Sequence, residues 1–95
     1  MDEVTQCVID VVQQNGHEQN IEALKQADMQ TLLFGKHLDS MGIVFLVTDL
    51  EARLHQTLGV AVSLADERAM SQKTSPFRSV KTLANYAQTL VQEAS

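Results

Sequence analysis

Apolar residues recur at helical spacing in three parts of this chain. Val4, Cys7, Val8, Val11 and Val12 fall at i, i+3, i+4, i+7 and i+8, which lines one face of a helix. Asp2 is its predicted cap and Gly16 its predicted stop. Valine is a mediocre helix former, so tertiary packing must hold this segment. A second stripe follows Ser40, with Ile43, Val44, Val47, Leu50, Leu54 and Leu58 on it and Gly59 as terminator. A helix over Met41–Leu58 would measure ~27 Å at 1.5 Å per residue. The third stripe runs from Val80 through Leu83, Ala84, Ala87, Leu90 and Val91, with Ser79 as N-cap. Strand signals are poor, with no convincing alternation of apolar and polar residues. The predicted core is Val4, Val8, Val12, Val44, Val47, Leu50, Leu54, Leu83, Ala87 and Leu90.

Two connections join these segments. Residues 17–39 form a stretch of a length that is functional or partly structured in compact domains. Ile21, Leu24, Leu32, Leu33, Phe34 and Leu38 give it enough apolar surface to pack down, with a short helix near residues 21–27. The second connection, 60–78, accommodates a short helix over Asp66–Gln72. It would stop near Ser75-Pro76, because the residue before a proline is pushed out of the helical region. The expected fold is all-α: three main helices plus a short one, with a long loop between the first two main helices.

Size narrows the picture. The chain has 95 residues, 44% of them hydrophobic, which is one domain over residues 1–95. Folding a chain of this mass buries about 64% of its unfolded surface, so a single core suffices without metal or disulfide. The one cysteine, Cys7, has no intramolecular partner, which fits a reducing, cytoplasmic setting. Its place on the inward stripe makes it a small buried hydrophobe. Seven Lys+Arg against twelve Asp+Glu give −5, which disfavours nucleic acid and anionic membranes as partners. No apolar run approaches the ~18 residues of a membrane span, and the start Met-Asp-Glu-Val lacks the order of a signal peptide.

The candidate chemistry lies in Leu38-Asp39-Ser40-Met41-Gly42. A serine at the first residue of a helix, preceded by aspartate, holds its hydroxyl beside free backbone N–H groups. Those groups and the helix dipole favour an anion, and a phosphate ester on Ser40 would sit there comfortably. The plainer reading is that Asp39 or Ser40 merely caps the helix. No catalytic set is evident. His17, His37 and His55 lack metal-site spacing. A triad of Ser40, a histidine and Asp39 would need base and orienter in a geometry that adjacent residues rarely supply. The chain also lacks Gly-x-Ser-x-Gly and any phosphate-cradling glycine loop, so it is not expected to be an enzyme.

Leu-Asp-Ser-Met-Gly followed by an apolar-striped helix resembles the attachment site of the acyl carrier and peptidyl carrier protein family. The resemblance extends over nearly the whole chain: a first helix, a long loop ending in the Asp-Ser motif, and a second helix ending in Leu-Gly-Val-Ala-Val. A short third segment follows, and the last helix opens with Ser-Val-Lys-Thr-Leu, similar to the family's Thr/Ser-Val-x-x-Leu. The pentapeptide is also similar to that of D-alanyl carrier proteins, whereas Ser-Pro-Phe-Arg-Ser-Val departs from the common fatty-acid carriers.

The resemblance implies an acyl carrier-like bundle and a freestanding, monomeric carrier. A phosphopantetheinyl transferase would attach 4'-phosphopantetheine from coenzyme A to Ser40, with Asp39 orienting the site. The arm's thiol would hold an acyl group as a thioester, or an aminoacyl group in the alternative. Acyl or aminoacyl ligases and downstream transferases or synthases would be its partners. A thiol suits that task because it is a better nucleophile and leaving group than a serine hydroxyl.

Some positions depart from the pattern. His37 stands where the family often has glycine, which bears on recognition by the transferase. The second helix carries only Asp49 and Glu51 as acids, and Phe45 falls off its stripe. Phe45 either points outward for apolar docking of partners or folds back onto the long loop. Met41 is either a contact for arm or partner or a simple helix-start hydrophobe. Gly42 costs ~1 kcal/mol of helix propensity, for close approach by arm or partner or as a tolerated weak spot. Arg68, Lys73, Arg78 and Lys81 form a loose basic group, either a contact for a partner enzyme or a solvated face. The rival from another class is a helical interaction module with no prosthetic group.

Overall fold

In chain order the helices are α1 (Glu3–Gln19), α2 (Glu22–Lys25), α3 (Ser40–Leu58) and α4 (Val80–Ala94). The structure, a computed structural model, describes residues 3–35, 37–64 and 77–94. Among these the fold is all-α, with α1 central: α2, α3 and α4 each pack against it. Asp2, the segment Asp66–Gln72, Ser75-Pro76, Arg68 and Lys73 lie outside the described residues.

All five positions of the first stripe are buried on α1, Cys7 included. Gly16 does not stop the helix. It is buried within it, and a Cβ there would stand 2.6 Å from the Lys25 backbone nitrogen and 2.7 Å from the Leu24 carbonyl carbon. Only glycine lets the backbone of α2 cross so closely. The stop comes at Asn20, whose φ of 57° is left-handed. The Asn20 N–H bonds the His17 carbonyl at 3.4 Å and the Ile21 N–H bonds that of Gly16 at 2.8 Å, the two hydrogen bonds of a Schellman motif. A sequence reading cannot separate a glycine that ends a helix from one that admits a neighbour, since both need the missing side chain.

Helix α3 begins one residue before the predicted Met41 and ends as expected. Gly59 takes φ 70°, and its N–H bonds the His55 carbonyl at 2.9 Å. Ile43, Leu46, Val47, Leu50 and Leu54 form its buried face. Val44, placed in the predicted core, is instead 52% exposed, and Leu46 takes its place. The reason is rotational. Val44 lies about 100° round the helix from Ile43 and shares a side with Met41, Phe45 and Thr48, whereas Leu46 completes the i, i+3, i+4, i+7 face. The other nine predicted core residues are buried.

Ser79 caps α4 reciprocally: its Oγ accepts from the Thr82 N–H at 3.2 Å, and its own N–H donates to Thr82 Oγ1 at 3.0 Å. Arg78 and Lys81 are exposed beside it. Short backbone pairings fasten the long first loop to this entry. Leu33 and Phe34 N–H groups bond the carbonyls of Arg78 (2.8 Å) and Phe77 (3.1 Å). In return Val80 and Lys81 N–H groups bond those of Thr31 (3.0 Å) and Met29 (3.2 Å). The expected short helix is present as the single turn α2, with Leu24 buried beneath it. On its outer side Lys25 Nζ bonds Glu22 Oε1 at 2.9 Å, and this hydrogen bond, then the ammonium charge, holds the Glu22 carboxyl below its ordinary value. The associated stabilisation is present at neutral pH and fades as pH falls through that lowered value. It is small because Glu22 is in water.

Candidate functional site

The loop closes on itself just before α3. Gly35 adopts φ 84°, its N–H bonds the Leu38 carbonyl at 3.0 Å, and the Leu33 carbonyl accepts from His37 (3.0 Å) and Leu38 (3.1 Å). Leu33 and Leu38 are buried and anchor this turn, which leaves Phe34 at its tip 44% exposed and His37 half-buried.

Asp39 is extended, with φ −92° and ψ −172°, and its Oδ1 accepts from the Gly42 N–H at 2.9 Å. Asp39 is therefore the N-cap, and Ser40 is the first helical residue rather than a cap. In the first turn of any α-helix the leading N–H groups have no carbonyl one turn back. Asp39 supplies Gly42 with its partner, and a helix N-terminus of this kind favours an anion.

Gly42 has a reason that neither sequence alternative foresaw. A Cβ there would stand 2.9 Å from Leu38 Cδ2 and 3.5 Å from Asp39 Oδ1, so the close approach is made by the chain's own loop. Replacing Asp39 with alanine should remove about 1 kcal/mol of cap stabilisation. At 4–8 °C per kcal/mol for a domain of this size, a melting curve should shift down by about 4–8 °C. Asp39→Asn, which keeps a cap acceptor, should shift far less.

Beyond Ser40, α3 turns an apolar side outward: Met41 is 64% and Phe45 55% exposed, with Val44 between them. Phe45 points out and also lines an open groove of about 1250 Å³ with Phe34 from the loop. The groove brings Asp39, Met41 and Phe45 together, and it continues past Gly42 and Thr48 to a polar end formed by Asn15, Glu18, Gln19 and Asp49. Asn15 is buried there and fully engaged. Its Nδ2 donates to the Val11 carbonyl (3.2 Å) and to Asp49 Oδ2 (3.1 Å), and its Oδ1 accepts from Gln19 Nε2 (3.1 Å). Sequence reasoning missed Phe34, Val44, Asn15, Glu18 and Asp49 as groove residues. The available signal was Val44 at i+3 from Met41 and Phe34 beside a turn glycine; nothing local marks the polar end, because two helices build it.

Among the described residues, no three His, Cys, Asp or Glu side chains gather as a metal ion would need, and no helix is long and apolar enough to cross a membrane. No family model matches the chain, nor does any curated protein or solved structure.

Proposed function

We propose that the protein is an acyl carrier-like protein, carrying 4'-phosphopantetheine on Ser40 and presenting a thioester-bound cargo to partner enzymes. The observation that carries this reading is the entry of α3. Asp39 takes the cap, Gly42 N–H is spent on it, and Ser40 occupies the first helical position, between Asp39 and Met41, which both line the groove. These residues suit the group: a phosphodiester is an anion, and the helix N-terminus offers it partial positive charge. When bound, the arm supplies the thiol that holds the cargo.

The chain's own residues have narrower tasks. Ser40 contributes the hydroxyl to be esterified, and Asp39 fixes the turn that presents it. Backbone bonds from Gly35 to Leu38 and from His37 and Leu38 to Leu33 lead the chain into it. Cys7 is buried in α1 and cannot stand in for the arm's thiol. Met41 and Phe45 are the docking contacts for a phosphopantetheinyl transferase and for acyl or aminoacyl ligases and synthases. Exposed apolar residues of this kind, rimmed by polar ones, mark interaction surfaces. The same surface would also serve an interaction module without a prosthetic group.

Intact mass separates the two readings. After incubation with coenzyme A, magnesium and a broad-specificity phosphopantetheinyl transferase, the carrier reading requires the gain of one phosphopantetheine unit. A folded protein that gains nothing with several transferases would sink it and leave the interaction module.

A further inference from the structure

The groove starts where a chain tethered to Ser40 would start. Asp39 and Met41, on either side of that residue, both line it. Val44 and Thr48 line it too, and with Ser40 they fall at i, i+4 and i+8, one row along α3. Phe34 lines it from the loop, where its N–H bonds the Phe77 carbonyl at 3.1 Å and Gly35 turns the chain directly after it. The polar end presents acceptors. Thr48 Oγ1 donates to the Val44 carbonyl at 2.8 Å, so its lone pairs remain for the groove, beside the carboxylate of Asp49. Among the described lining residues the fully charged side chains are carboxylates, with the imidazole of His37 near the entry, so a fatty-acid anion or an acidic peptide would meet like charge.

From this we infer that the groove is the seat of the unloaded arm, which lies along the row of Val44 and Thr48 rather than trailing in solvent. The inference rests on loading at Ser40. Beyond its phosphate the arm is neutral, with a gem-dimethyl carbon first, two amides next and the thiol last. That order follows the order of the groove. The gem-dimethyl group falls about one helical turn from the attachment, at the level of Val44 and Phe45, and the amide N–H groups fall toward the acceptors of Thr48 and Asp49. Eight residues of helix separate Ser40 from Thr48 by about 12 Å, and an arm of about fifteen chain atoms reaches about as far as five extended residues, ~16 Å. An open groove of about 1250 Å³ would hold a free molecule of this kind weakly. Attachment changes the balance, because a short flexible tether gives the arm a local concentration on the order of millimolar. Contacts too weak to capture a free ligand then keep a tethered one in place.

The test uses isotope-labelled protein loaded with an unlabelled arm from coenzyme A, with intact mass confirming the product. Isotope-filtered nuclear Overhauser spectra should show the gem-dimethyl protons against the Phe34 and Phe45 rings and the Val44 methyls. Those cross-peaks should be lost in Phe34→Ser/Val44→Ser, two exposed positions whose variant is checked by a thermal melt. If the loaded parent gives no such cross-peaks and the arm keeps the chemical shifts of free phosphopantetheine, the arm is in solvent and the inference falls. Contacts to residues outside the groove, or cross-peaks that persist in the double variant, would overturn it equally. So would resonances of Phe34, Val44 and Phe45 that move with concentration in the unloaded protein, since the occupant would then be a second copy of the chain. Each of these results leaves the carrier reading standing. No mass gain would instead overturn that reading, and the inference with it.

Discussion

Ser40→Ala is expected to abolish phosphopantetheine loading completely while leaving the fold in place. The expectation is sharp because of where the cap lies. Had Ser40 been the N-cap, its removal would cost about 1 kcal/mol, and lost function could be blamed on lost stability. Asp39 holds that position, with its Oδ1 2.9 Å from the Gly42 nitrogen. Ser40 is interior to the helix by one residue, where alanine is the better helix former by up to about 0.5 kcal/mol. The melting temperature of Ser40→Ala should therefore stay within about 4 °C of the parent. Intact mass and a thermal melt on the same sample make the check. A mass gain that survives in the variant would place the attachment elsewhere, and a collapse in melting temperature would show that the serine is structural. If the protein were only an interaction module, the substitution would leave partner binding unchanged.

The second large effect is expected at Gly16. By helix propensity alone, alanine in place of a mid-helix glycine should stabilise by ~1 kcal/mol. The crossing of α2 reverses the sign. The added methyl would meet backbone atoms of Leu24 and Lys25 at 2.6–2.7 Å, and backbone cannot rotate aside as a flexible side chain can. Overpacking of this kind costs ~1–3 kcal/mol, and net of the propensity gain up to about 2 kcal/mol is lost, so Gly16→Ala should lower the melting temperature by up to about 16 °C. Circular dichroism followed on heating would read it. A rise in melting temperature would mean that α2 lifts away freely and that Gly16 is an ordinary weak spot.

These two positions also show what the sequence could and could not reveal. Periodicity located the three long helices closely, because each buries one face and that requirement is written every three or four residues. Gly59 and Ser79 act as predicted, since a left-handed stop and a hydroxyl cap are local chemistry. Gly16 and Gly42 were misread for one shared reason: each yields to a neighbour from another segment, Lys25 in one case and Leu38 in the other. Val44 was misplaced by a single step round the helix. At the site, Asp39, Met41 and Phe45 line one groove. The polar end of the groove was illegible because Glu18 and Asp49 are thirty-one positions apart in the sequence and meet only through packing of α1 on α3.

The pairing of the first loop with the entry of α4 bears on how the protein is made. Leu33 and Phe34 take their backbone partners from Phe77 and Arg78, more than forty residues downstream. During synthesis the Asp-Ser motif leaves the ribosome well before those partners do. Until they arrive, the Leu33 and Phe34 amides have only water, and the turn before Ser40 is held by its own bonds alone. Contacts so distant in sequence close late in folding. On the carrier reading, a transferase that reads the finished turn would pass over the nascent chain.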